Sequence, residues 1–181
     1  MIEIGISYVE CLNKLKKEEL IKIITDYNKM CEIFDETKIE DTKSKKDVLV
    51  EKINEIKNKY LKYLIMSLDL KDYESLKNIL KKNDTKTLNE HKELINYFID
   101  KHIIFQKDNL EVPNDLEFKC CFKNKDILKY VKKWNRIYDL ANGIIIAYGV
   151  VSKKYFSFII SNCNKEVISS FFFFYICYSI N

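Results

Sequence analysis

Glycine and proline are scarce in this chain of 181 residues, which contains three glycines and one proline. Tight turns between β-strands depend on these residues, whereas long helices do not. The shortage therefore favours a mostly helical fold. The glycines, at positions 5, 143 and 149, are also too widely separated to form a glycine-rich loop around a phosphate group.

Histidine is also rare, and the cysteines lack the spacing of metal ligands. His91 and His102 are predicted to lie on one helix, about 16 Å apart at 1.5 Å per residue, which is too far to share a metal ion. The six cysteines contain no C-x-x-C pair, and a zinc site needs closer ligands. Cys120 and Cys121 are adjacent, which is poor geometry for a mutual disulfide, and neither has a histidine nearby in the sequence. We therefore expect no metal, no cofactor, no catalytic residue and no enzymatic activity.

Signals for secretion or membrane insertion are absent as well. The N-terminus lacks the order of basic and then apolar residues that marks a secretion signal. The apolar run at residues 167–180 is shorter than the roughly 20 residues that a membrane-spanning helix needs. Together with scattered cysteines, which suit a reducing compartment, this predicts a cytoplasmic protein without a transmembrane segment. The run itself is interpreted as a buried closing helix or strand, a partner-binding segment or a membrane-surface segment.

Positive charge is unevenly distributed along the chain, although the net charge is only +4. Residues 1–60 hold 12 lysines and 13 acidic residues, and residues 61–119 hold 10 lysines and 11 acidic residues. Residues 120–181 hold nine basic and three acidic residues, so all of the excess base lies in the last third. Because phosphate binding needs clustered charge, this third is the candidate for a binding site.

Two leucine-rich helices are predicted in the first part of the chain, residues 1–58. Residues 15–24 (LKKEELIKII) are followed, after a connection, by residues 45–53 (KKDVLVEKI). This pattern resembles the helix–extended loop–helix of SAP-type domains and is similar to the small N-terminal domain of the transcription terminator Rho. The resemblance implies a small helical domain that binds nucleic acid.

A helix followed by a hairpin is predicted in the middle part, residues 59–119. Thr87 and Glu90 are spaced as a capping box, and apolar residues then recur at helical spacing up to Lys101. Residues 103–105 and 110–112 are predicted strands on either side of a turn, and Pro113 ends the second strand. With the helix predicted at residues 69–82, this order resembles a winged-helix module.

The third helix of that module would be residues 88–101. In DNA-binding winged helices this helix usually enters the major groove. Here it carries three acidic residues, Glu90, Glu93 and Asp100, against two lysines, so phosphates would repel it. The resemblance therefore implies contacts with protein for this segment.

A basic amphipathic helix is predicted at residues 123–136 in the last part, residues 120–181. Its basic residues lie on one face at spacings of i, i+4, i+7 and i+11, with Lys133 beside them: Lys125, Lys129, Lys132 and Arg136. Another face repeats apolar residues at the same spacing: Ile127, Val131, Trp134 and Tyr138. We expect Trp134 to lie in the core and the basic face to be free. That face is interpreted either as a solvated surface or as a site for nucleic acid or an acidic partner.

Residues 148–152 (YGVVS) form a further pattern, in which Gly149 suits a helix end and Ser152 the next helix start. The pattern resembles a turn in uncharacterised proteins of low-GC Gram-positive bacteria. The resemblance implies kinship with that group and no activity.

These patterns predict a mainly α fold of small helical modules with one winged-helix-like β-hairpin in the middle. The predicted function is that of a non-enzymatic nucleic-acid-binding or regulatory protein that contacts phosphates through Lys125, Lys129, Lys132, Lys133 and Arg136. The alternative is a protein-interaction adaptor that uses the acidic winged-helix face and the apolar tail. DNA, RNA and protein remain open as ligands, and so does the oligomeric state.

Overall fold

A computed structural model describes residues 2–3, 5–40, 42–82, 85–107, 109–148 and 155. The described residues form eight helices and a three-stranded sheet, which confirms the prediction of a mainly α fold with one hairpin. The pattern predicted at residues 149–152 and the apolar run at 167–180 lie outside them. In chain order the elements are β1 (Ile2–Glu3), α1 (Tyr8–Lys14), α2 (Lys17–Phe34), α3 (Lys46–Met66), α4 (Leu70–Lys82), α5 (Thr85–Glu90), α6 (Lys92–Asp100), β2 (Phe105–Gln106), β3 (Leu110–Glu111), α7 (Phe118–Lys123) and α8 (Lys125–Tyr148).

The predicted hairpin is present, but its strands are short. β2 and β3 are antiparallel, with Phe105 opposite Glu111. The predicted first strand includes Ile103 and Ile104, yet both residues precede β2 and are buried in the core. The sequence pattern did not reveal that β1 pairs with β3 in parallel, with Ile2 opposite Leu110. The start of the chain and the hairpin therefore share one sheet.

The helix predicted at residues 88–101 is wrong in its extent, because two helices, α5 and α6, occupy that region. His91 separates them, with a φ of −121° and a ψ of 35°. The capping box at Thr87 is also wrong, since α5 begins two residues earlier. His102 follows α6, so the two histidines do not share a helix. In the part of the chain that is described, no three metal-ligating side chains form a cluster.

Two helices end in left-handed residues that are not glycine. Asp35 after α2 and His102 after α6 both have a φ of 53°. In each case the next amide donates back into the helix: that of Glu36 to the carbonyl of Cys31 at 2.9 Å, and that of Ile103 to Phe98 at 3.0 Å. This is the Schellman arrangement, in which glycine is the usual left-handed residue. In a chain with three glycines, an aspartate and a histidine take that position.

α3 is the helix around which the others pack. It contacts α1, α2, α7 and α8, and its side chains Ile53, Tyr60, Leu61 and Leu64 are fully buried. The predicted boundary between residues 58 and 59 falls inside this continuous helix. Buried side chains from residues 8 to 131 belong to one hydrophobic cluster, to which all three predicted segments contribute.

Helix length and apolar character bear on membrane insertion. Among the described helices, none combines the two features to the degree that crossing a bilayer requires.

Candidate anion-binding face

The orientation of α8 is set at its start and along its buried face. Asn124 caps the helix, because its Oδ1 accepts a hydrogen bond from the amide of Asp126 at 2.9 Å. Ile127 and Val131 are buried, as the apolar pattern predicts, and Ile137 continues that face. The opposite face of α8 is consequently directed to solvent.

Contacts between aromatic rings pack α8 against the earlier helices. The ring of Tyr130 lies 5.6 Å from that of Phe34 on α2 and 5.7 Å from that of Trp134. Phe34 in turn stacks on Tyr63 of α3, with centroids 4.4 Å apart. Trp134, expected in the core, is only partly buried, and so is Tyr138. Burial raises the pKa of Tyr130 to about 12, so its phenol stays neutral in this position.

The four basic residues that the sequence places on one face of α8 are all exposed: Lys125, Lys129, Lys132 and Arg136. We call these four residues the basic row. No ion pair involves any of them in the described part of the chain. Lys133, the fifth predicted site residue, is half-buried and lies beside the row. The arrangement therefore presents positive charge that no described carboxylate neutralises.

The acidic residues of α8 do not pair with the row. Asp126 lies in the first turn, where a negative charge is favourable to the helix dipole. Asp139 accepts a hydrogen bond from the Nδ2 of Asn135 at 3.0 Å. The Oδ1 of Asn135 accepts from the amide of Leu70 at 3.2 Å, which fastens the start of α4 to α8. Both carboxylates thus lie beside the basic row without neutralising it.

An open groove continues from the end of the basic row. It has a volume of about 400 Å³, is lined mostly by apolar atoms, and its described lining residues are Arg136, Asp139, Leu140, Gly143 and Ile144. The sequence analysis did not identify this groove. The sequence does contain a signal for it: Leu140 and Gly143 follow Arg136 at the helical spacing of the basic row, so an apolar residue and a glycine continue the same helix face. Gly143 leaves open space, since a Cβ built there would meet no atom within 4 Å.

Burial disfavours nucleophilic reactivity at two of the described cysteines, Cys11 and Cys121. Cys11, Cys31 and Cys121 are buried free thiols, and Cys120 is an exposed one. Burial raises the pKa of Cys11 and of Cys121 to about 11, which disfavours the reactive thiolate.

Comparison of the chain with known families, curated proteins and solved structures found no match. The likeness to SAP-type domains, to the Rho N-terminal domain and to winged helices stays a prediction from sequence patterns.

Proposed function

We propose that this protein is a non-enzymatic, cytoplasmic nucleic-acid-binding protein that contacts phosphate groups through the basic row of α8. The observation that supports the proposal is the exposure of four cations on one helix face, none of them ion-paired in the described residues. Lysine and arginine contacts to phosphates supply nearly all of the affinity of non-specific nucleic-acid binding.

The rest of the fold acts as a scaffold in this proposal. The SAP-like helix pair corresponds to α2 and α3, and α3 packs directly against α8. The ring of Phe34, which stacks on Tyr63, contacts Tyr130 of α8, so the basic row keeps its direction without a ligand. Because phosphates carry no sequence information, binding through this row is only weakly sequence-specific.

A fluorescence-anisotropy titration tests the proposal. The probes are labelled DNA and RNA oligonucleotides of mixed sequence, at about 50 and 200 mM salt, a range over which phosphate contacts weaken strongly. With about four phosphate contacts, we expect log K to fall with log salt concentration with a slope of about −3. No binding at the lower salt concentration would overturn the function.

A matched pair of variants tests the site. The double charge reversal Lys129→Glu with Lys132→Glu is expected to abolish binding with the fold intact. The control is Lys14→Glu with Lys107→Glu, which makes the same change in net charge at exposed positions on α1 and in the hairpin turn. If the α8 variant still binds, or if the control loses as much affinity, the basic row is not the site.

A second candidate function is that of a protein-interaction adaptor. The observation that favours it is the exposure of apolar surface near the end of α8, where Ile146 is 85% exposed. Contact would also involve the exposed Glu90 and Glu93 and the apolar run at residues 167–180. Self-association that is insensitive to salt and is lost on deleting residues 167–181 would support this function. A monomer at all salt concentrations would contradict it.

A further inference from the structure

The shape of the basic row bears on the kind of nucleic acid it fits. At 100° and 1.5 Å per residue, its members fall within an arc of about 60° and extend along the helix for about 16 Å. They therefore form one narrow line of charge and can contact no more than about four phosphates. A line of this kind matches the backbone of one strand.

The packing of α8 limits the face that the helix can present to a ligand. One side of the helix is held by the hydrogen bond from Leu70 to Asn135 and another by the contact of Tyr130 with Phe34. At 100° per residue, Asn135 and Tyr130 lie about 90° and 130° from the middle of the basic row. The row therefore lies on the free face of α8, between these two contacts.

Acidic residues flank the row on opposite sides. At 100° per residue, Asp139 lies about 50° to one side of the middle of the row and Asp126 about 90° to the other. Both carboxylates are exposed. The phosphates of a second strand would approach one of them and be repelled, whereas the phosphates of a single strand on the row avoid both.

The groove at the end of the row has features that suit a nucleobase. Its apolar lining, Leu140, Gly143 and Ile144, offers a surface for a flat ring, and Arg136 at its edge belongs to the basic row. The carboxylate of Asp139 is an acceptor of the kind that pairs with exocyclic amino groups of bases. A base can reach this groove only from a strand in which it is not already paired and stacked.

On these grounds, and resting on the proposed function, we propose that α8 binds single-stranded nucleic acid, with consecutive phosphates on the basic row and one base in the groove beside Arg136. The site then has two parts: a charged line that contacts the backbone and an open apolar groove that accepts an unpaired base. Stacking of bases on protein surfaces does not depend strongly on sequence, which agrees with weak sequence preference.

Three probes of equal length test this inference on the full chain: a labelled single strand, the same strand in a duplex, and a single strand without bases. We expect the single strand to bind at least tenfold more tightly than the duplex and about fivefold more tightly than the abasic strand. A duplex that binds equally well would overturn the inference and leave the proposed function standing. Failure of all three probes to bind would overturn both.

A substitution in the groove gives an independent test. Gly143→Leu fills open space and is expected to weaken single-strand binding about fivefold while leaving abasic-strand binding unchanged. Gly143→Ala is the matched control, since a methyl group leaves most of the groove open. Equal affinity of both variants and the unsubstituted protein for the single strand would exclude the base site, whatever the result for the duplex.

Discussion

The lysines that precede α7 and the basic row of α8 differ in their contacts. Among the described residues before α7, several ion pairs between lysines and carboxylates join separate elements; the lysines in described pairs are Lys22, Lys29, Lys38, Lys57, Lys59, Lys77 and Lys101. The basic row of α8 has no such pair in the described residues, although aspartates lie nearby on the same helix. In the first region several lysines connect separate elements through ion pairs, whereas the basic row is available to a ligand.

The difference shows that the number of lysines says little about their role. The first two thirds of the sequence contain more lysines than the last third, yet their acidic residues outnumber them and form ion pairs with several of them. Asp26 is the clearest case: it is only 8% exposed, and it accepts from Lys101 at 2.8 Å and from Lys29 at 3.4 Å. Substitutions of residues inside and outside the described ion pairs test this contrast, and their expected effects on stability range from several kcal/mol to nearly none.

Asp26→Ala should have the largest effect on stability. It leaves Lys101, itself mostly buried, without its nearest partner, and breaking a buried ion pair typically costs about 3–5 kcal/mol. We expect a loss of about 2–4 kcal/mol, since Lys101 retains a 3.9 Å contact with Asp100. Urea denaturation followed by circular dichroism measures it. Nucleic-acid affinity of the folded variant should not change, and a loss of affinity would weaken the contrast between the two regions.

Asp115→Asn should have the next largest effect, and it should depend on pH. Burial tends to raise the pKa of the Asp115 carboxyl, but hydrogen bonds from Lys57 and from the amide of Tyr8 together hold it below its ordinary value. A carboxyl with a lowered pKa stabilises the fold above its unfolded-state pKa of about 3.9, and this contribution is lost as the pH falls through the folded-state pKa.

The expected loss for Asp115→Asn is about 1–3 kcal/mol at pH 7. Thermal melts of both proteins between about pH 7 and pH 2.5 should show the difference shrinking below about pH 4. A difference that stays constant over this range would show that the charge of Asp115 does not contribute.

Lys22→Ala tests an exposed member of the paired set. Lys22 donates to Asp100 at 2.6 Å, and both side chains are about half exposed. Exposed ion pairs contribute about 0–1 kcal/mol, so the loss of stability should be below 1 kcal/mol and should diminish in high salt. Denaturant titrations at two salt concentrations measure it. A loss of stability as large as that of Asp26→Ala would mean that the exposed pair Lys22–Asp100 contributes as much as the buried pair Lys101–Asp26.

Lys132→Ala should have the smallest effect on stability and a clear effect on binding. Exposed side chains without structural partners usually change stability by less than about 0.5 kcal/mol. Removal of one phosphate contact should lower the salt slope of binding by about one. Calorimetry and anisotropy on the same samples check both. An effect on stability above about 1 kcal/mol would show that the row has a structural role.

The helices and the hairpin could be predicted because their signals are local. The apolar spacing of Leu94, Ile95 and Phe98 predicts a helix, and a polar turn between apolar runs predicts the hairpin. The break at His91 could not be foreseen, since the apolar spacing continues across it. The left-handed conformation at residue 102 could not be foreseen either, because the residue there is a histidine and not the glycine that usually marks such a position.

For the site, the exposure of the basic row followed from helical spacing alone. The partial burial of Trp134 did not, because it depends on Phe34 and Tyr130 meeting across two elements. The groove beside Arg136 depends likewise on packing around α8. Helix spacing determines which face of a helix is polar, whereas only the assembled fold determines what lies next to that face.

The parallel pairing of β1 with β3 has a consequence for the order of events during synthesis. β1 cannot pair with β3 until residue 111 has been synthesised. The amide of Tyr8 cannot donate to Asp115 until a further 107 residues have been added to the chain. At about 5–20 residues per second, the first strand emerges from the ribosome roughly 5–20 s before its partner exists. Closing so long a segment costs entropy before the new contacts compensate. β1 is translated before the helices yet is among the last elements to reach its place, and the sheet closes only after the helices between its strands have been made.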